Sequence, residues 1–204
     1  MPGSGLPPET VYAHALPIFG TAGEDYVLRR GVSVEVAAAA GVRFAANLAE
    51  RPAVLVALRD RSDRLTSVHG RYLHAARGQN KMLTVGRGHG AIPFLGGWRA
   101  EPFVLVEGLF DGLSLAACGW PSVATIGRQV CWLSEATAGK VVWAAFDAGR
   151  SGEANFALCQ NQLREATVRR LPPPPGCKDW NTAIVKRGPA TVARWVRDHV
   201  IRPE

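Results

Sequence analysis

The sequence predicts an α/β protein: a mostly parallel sheet with helices on both faces, preceded by a small α+β subdomain. Three observations carry that reading. After Trp98, strand-like and helix-like segments alternate, the pattern of βα units in a parallel sheet. The run Phe103-Val-Leu-Val-Glu107 is apolar up to a carboxylate, as a buried strand would be. A second apolar run, Lys140-Val-Val-Trp-Ala-Ala-Phe-Asp147, also ends on an acid.

The elements follow in order. Met-Pro-Gly-Ser-Gly-Leu-Pro-Pro at the start has no basic segment followed by an apolar one, so no signal peptide is expected there, and residues 1–23 are expected to be a flexible lead-in. Asp25–Arg30 reads as a short helix broken by Gly31. Ser33 is a suitable N-cap for a helix over Val34–Ala40, with Glu35 in its first turn and Gly41 just past its end. Ala53–Leu58 and Arg64–Leu73 read as a hairpin across the turn-like Asp60-Arg-Ser-Asp63. From Ala76 to Gly97 the chain is rich in glycine and basic residues, with one short strand at Met82–Val85. Beyond a boundary near residue 98, strands are expected at 103–107, 121–126, 140–147 and 166–171. Helices are expected at 111–118, 132–138, 152–165 and 189–200. Pro172–Pro175 is a stiff segment. The resulting division is 24–98 and 99–204.

The totals narrow the function classes. The chain has 204 residues, 47% of them hydrophobic, and a formal net charge of +7. The sequence pI of about 9.7 favours a polyanionic partner. No apolar stretch approaches the roughly 20 residues of a membrane span. Cys118, Cys131, Cys159 and Cys177 form no C-x-x-C pair, which argues against a zinc site or a disulfide framework and for reduced thiols in the cytoplasm. The histidines at 14, 69, 74, 89 and 199 are scattered.

Ligands of open α/β sheets gather at the carboxyl ends of strands. Two adjacent strands ending at Glu107 and Asp147, with Asp111 one helical turn beyond Glu107, would bring three carboxylates into one crevice. Hard oxygen ligands in such a group suit Mg²⁺ or Mn²⁺ and phosphate chemistry. Glu153 reads as an exposed first-turn helix residue, Trp143 as core, and Arg164, Arg169 and Arg170 as a solvated junction. Among the tryptophans, Trp180 beside Asp179 is the candidate for base stacking.

These motifs resemble a Toprim domain, whose signature is a strand-end Glu, an Asp four residues on, and a later strand ending in Asp-x-Asp. Glu107-Gly-Leu-Phe-Asp111 matches the first part, Ala124-Thr-Ile-Gly127 the glycine turn, and Phe146-Asp147-Ala-Gly-Arg-Ser-Gly152 the later strand. The segment before residue 98 is similar to DnaG-type primases. Tyr26-Val-Leu-Arg-Arg-Gly-Val-Ser33 looks like their opening "Tyr-Leu-x-x-Arg-Gly-Leu-Ser". Arg64–Arg71 looks like their basic hairpin, and Asn80-Lys81 like the start of a nucleotide-proximal motif. Gly176-Cys-Lys-Asp-Trp-Asn181 looks like their "Gly-Lys-Asp" tail. The resemblance runs from about residue 24 to 200. It departs at Gly149, where the family has its second Asp, and at Asn181, where many members have an acid.

The resemblance implies a primase catalytic core that joins ribonucleotides on single-stranded DNA. It implies Glu107, Asp111 and Asp147 as catalytic residues, with Glu107, Asp147 and Asp179 holding Mg²⁺ or Mn²⁺. It also implies Arg71, Lys81, Arg87 and Arg128 as contacts to nucleotide or DNA. A replicative helicase or a separate zinc-binding module is an expected partner. Two alternatives stand beside it: a Toprim nuclease, and a non-catalytic nucleic-acid-binding subunit, the latter suggested by Gly149 and Asn181.

Overall fold

In the computed structural model, which describes residues 5–127 and 130–201, the chain folds as two units, residues 1–92 and 93–204. The first is built on five strands, β1 (Leu16–Pro17), β2 (Arg43–Leu48), β3 (Arg51–Arg59), β4 (Leu65–Tyr72) and β5 (Met82–Gly86), in that spatial order. Neighbours are antiparallel. β3 is the centre because Ala53–Leu58 is buried without interruption, which requires cover on both faces. Leu55, Val68, Tyr72 and Val85 form the apolar cluster beneath the sheet. The expected hairpin is β3–β4. Its turn is closed by Asp60, whose Oδ1 accepts from the amides of Ser62 at 2.9 Å and Arg64 at 3.0 Å.

α2 (Ala22–Arg29) and α3 (Val34–Ala39) are capped by Thr21 and Ser33, whose hydroxyls accept from the amides of Gly23 and Val36. β1, β2 and α1 depart from the sequence reading. β2 lacks alternation and carries an irregularity between Ala45 and Leu48 where it pairs with β3. The expected lead-in instead contains α1 (Pro8–His14). Pro7-Pro8 reads as a breaker, but proline is well tolerated in the first helical turn. The Tyr12 hydroxyl donates to the Gly41 carbonyl, and Arg43 donates to the carbonyls of Tyr12 and Ala15, which ties α1 into the unit.

The second unit has strands β6 (Ile92–Phe94), β7 (Phe103–Val106), β8 (Ser122–Ala124), β9 (Val141–Ala144) and β10 (Thr167–Arg170) in the order β10-β9-β7-β8-β6. β7 pairs in parallel with β8 and β9, and β9 with β10. The helices are α4 (Leu109–Ala117), α5 (Leu133–Thr137), α6 (Arg150–Gln162), α7 (Trp180–Arg187) and α8 (Pro189–Ile201). α4, α7 and α8 pack on one another. Right-handed crossovers put α5 and α6 on the opposite face, because their connections run the other way across the sheet. Leu133 of α5 and Leu158 and Cys159 of α6 line a cavity of about 230 Å³ against Leu105 and Phe146.

α4 starts at Leu109, two residues before the expected start, so Asp111 sits inside the first turn. Gly112 lets that helix approach the Phe94 ring; a Cβ there would lie 2.1 Å from it. α7 has no counterpart in the sequence reading. Among the described residues, no helix is long and apolar enough to cross a membrane. All four cysteines are free, and burial pushes the Cys118 and Cys159 thiols up to about 11.

A candidate active site at the carboxyl ends of β7 and β9

Glu107 directly follows β7, and Asp147 lies just beyond the end of β9. The amide of Ala145 still donates to Leu105 at 2.8 Å, so both strands run on together toward the acids. Arg170, on the last position of β10, fixes the segment carrying Asp147. Its Nη1 donates to the carbonyls of Ala144 (3.1 Å), Phe146 (2.9 Å) and Leu171 (3.2 Å). Its Nη2 donates to the Asp147 carbonyl at 2.6 Å, and its Nε to Glu153 at 3.0 Å. The side chain is only 14% exposed, which corrects the expectation of a solvated junction. No sequence signal distinguishes Arg170 from Arg169, since both lie on one short strand and only the alternation of faces separates them. Glu153 is engaged by this arginine.

Gly152 stands at the closest approach. A Cβ there would fall 1.6 Å from the Asp147 carbonyl oxygen. Gly149, where the family pattern has an acid, adopts φ 84° and ψ −170° as the residue before α6. That backbone region is essentially restricted to glycine. The missing carboxylate is therefore matched by a turn that a carboxylate-bearing residue does not readily adopt.

Two acids meet the amino end of α7. Asp179 caps it, its Oδ1 accepting from the Thr182 amide at 2.6 Å. The Asp111 carboxylate accepts from the Trp180 amide at 3.1 Å and from the Asn181 amide. Free amides and the positive end of the helix dipole favour negative charge at both positions. Even so, burial, then Asp147 and Asp179, push the Asp111 carboxyl up to about 7. Asp147 is raised as well, by burial and then by Glu107 and Asp179, with Lys178 and Arg170 opposing. Each shift reports like charges near one another.

Two tail residues differ from their sequence reading. Trp180 is fully buried, with Nε1 donating to the Ala145 carbonyl at 2.9 Å, so it is core and offers no stacking face. Asn181 is buried and donates to the Ser114 hydroxyl at 3.1 Å, joining α7 to α4.

The donor chemistry fits a divalent cation. Glu107, Asp111, Asp147 and Asp179 share one end of the sheet. Glu107 Oε1 is buried with no hydrogen-bond partner. Among the described residues no ion pair occupies Glu107, Asp111 or Asp147. The spacing is looser than a finished shell: among the described residues, no three His, Cys, Asp or Glu side chains are grouped to hold an ion. Asp147 stands within electrostatic reach of Glu107, Asp111 and Asp179.

The basic candidates belong to the first unit. Arg71 is on β4, opposite Val54 of β3 and Met82 of β5. Lys81 and Arg87 are exposed at either end of β5. Arg128 lies outside the described residues. Arg51 was not singled out by sequence. Its guanidinium stacks on Tyr72 at 3.8 Å and donates to the carbonyls of His74 and Asn80, bracing the connection that leads to Lys81.

Comparison with known proteins agrees with this architecture. Residues 104–184 match the family described as Toprim-like, and residues 9–92 match one described as a domain of unknown function (DUF7146). No curated protein matches the chain. The fold is similar to the zinc-binding and RNA polymerase domains of Aquifex aeolicus primase, with TM-score 0.70 and 19% identity over 92% of this chain and 59% of that one. It is similar to the primase fragment of the bacteriophage T7 primase-helicase, with TM-score 0.63 and 19% identity over 96% of this chain and 82% of that one. It is also similar to the RNA polymerase domain of Mycobacterium tuberculosis primase DnaG, solved with a double-stranded DNA carrying a 6-nucleotide overhang. That match has TM-score 0.72 and 15% identity over 93% of this chain and 78% of that one. The chain spans about three-fifths of the Aquifex fragment. It carries a Toprim-like domain and has the fold of a DnaG-type primase catalytic core.

Proposed function

We propose that this chain is a primase-type nucleotidyltransferase core that synthesises RNA on a single-stranded DNA template from nucleoside triphosphates. The observation that carries the reading is the crowding of Glu107, Asp111, Asp147 and Asp179 at one sheet end, within a fold shared with primase cores along more than nine-tenths of its length. Mg²⁺ or Mn²⁺ held by Glu107, Asp147 and Asp179 would neutralise the charge that builds on the phosphates as the 3′-hydroxyl displaces pyrophosphate.

The chain's own residues supply the rest. Glu107 acts beside the reacting phosphate. Asp111 acts with it at the site, its carboxylate accepting from the Trp180 amide. Arg170 keeps Asp147 aimed by holding the carbonyls on either side of Phe146. Arg71, Lys81 and Arg87 grip the triphosphate and template, giving salt-sensitive binding. Arg128 is proposed for the same role on resemblance. Binding to DNA draws support from the M. tuberculosis domain, which was solved with DNA.

The test is direct. Single-stranded DNA, labelled nucleoside triphosphates and Mg²⁺ or Mn²⁺ are incubated with the protein. Template-dependent RNA extension supports the proposal. Cleavage of the DNA identifies a nuclease, and retention without either identifies a binding subunit.

A further inference from the structure

We propose that Asn155 is the positioning residue for Glu107, and that α6 sets the spacing between the two strand-end acids. The inference rests on the reading of Glu107 as the acid that works at phosphate.

The geometry is specific. Asn155 Nδ2 donates to Glu107 Oε2 at 2.9 Å, across a gap of 48 residues in sequence. Glu107 Oε1 is buried and has no partner, so this amide fixes the carboxylate from one side and leaves the other oxygen uncommitted. Among the described residues no ion pair reaches Glu107. A neutral donor suits the task. An arginine or lysine in its place would orient the carboxylate and also cancel the charge needed to hold a cation, whereas an amide orients it and leaves the charge intact.

Asn155 is itself held in register with the second acid. It lies on α6, whose first turn is fastened to the Asp147 segment in two ways. The Glu153 amide donates to the Gly149 carbonyl at 3.1 Å. The Glu153 carboxylate takes the same Arg170 that binds the Asp147 carbonyl. One helix therefore touches the Asp147 turn at its start and the Glu107 carboxylate one turn later. Asn155 and Glu107 also line the same cavity as Thr125 and Gln162.

The experiment compares four proteins: wild type, Asn155→Ala, Glu107→Ala and the double variant. Mn²⁺ binding is followed by electron paramagnetic resonance. Asn155→Ala is expected to weaken Mn²⁺ about tenfold in the wild-type background, the cost typical of losing a group that orients a ligand. It should change little once Glu107 is gone. Equal losses in both backgrounds, or no loss, would overturn the proposal. In primer synthesis, Asn155→Ala should lower kcat with KM for nucleotide unchanged. Asn155→Asp, equal in size but with no N–H to donate, should not restore it; full activity of that variant would mean that Asn155 serves only as packing. If wild type binds no Mn²⁺, the phosphate reading of the site fails, and urea unfolding of the same four proteins decides Asn155. Non-additive stability losses uphold the Asn155–Glu107 coupling, and additive ones overturn it.

Discussion

Asp111 is a buried carboxyl set beside two other acids. Its folded-state value, about 7, lies above the ordinary 3.8. A raised acid contributes stability that is fully present below its unfolded value and is lost as pH rises through the folded one. The metal-free protein is therefore expected to lose stability between about pH 4 and pH 7. Asp111→Asn keeps an oxygen for the Trp180 and Asn181 amides and removes the charge. It should melt roughly 5 °C higher than wild type at pH 8 in chelator and show no gain at pH 4. Thermal melts at the two pH values check this; equal differences at both would remove the link to ionisation. At the same scale, Glu107→Gln should abolish primer synthesis with the circular dichroism spectrum unchanged, and wild-type activity in that variant would rule out its role.

Element by element, the sequence was readable where a local rule dominates. The cap at Ser33, the β3–β4 hairpin and the two acid-ended strands all follow from short-range chemistry. β2 and α7 were not legible: β2 lacks the alternation of a strand and is irregular where it pairs with β3, and α7 is met at its first amide by Asp111, which is distant in sequence. Glu107, Asp111 and Asp147 were legible by spacing, and Asp179 only through the family resemblance. Their supporting groups were not, since Arg170 and Asn155 look like ordinary surface residues until β10 and α6 are folded against the site. Two consequences belong to elements. Gly152→Ala drives a methyl into the Asp147 carbonyl and should destabilise the second unit by roughly 3 kcal/mol, read as a lower urea midpoint with primer synthesis lost. Asp179→Ala removes the α7 cap at a cost of about 1 kcal/mol. If Asp179 is also a cation ligand, Mn²⁺ affinity falls further than that loss of stability explains.

For the whole molecule, the surplus of +7 is a statement about encounter with polyanions. Binding to single-stranded DNA should weaken steeply with salt, because each phosphate neutralised releases condensed counterions. Lys81→Ala is expected to weaken nucleoside triphosphate binding roughly tenfold while leaving Mn²⁺ affinity unchanged. Fluorescence titration with nucleotide and electron paramagnetic resonance with Mn²⁺ separate the two effects. A parallel loss in both would mean that Lys81 acts on the fold and not on the phosphates.

The turn at Gly149 bears on how such a site can change over evolutionary time. A backbone open almost solely to glycine makes the absence of an acid self-preserving: a lone Gly149→Asp exchange meets a penalty before any advantage can be felt. Introducing a ligand at this position would require the loop to be remodelled first. A chain with this turn is more readily moved to strengthen the carboxylates it already has than to add one here.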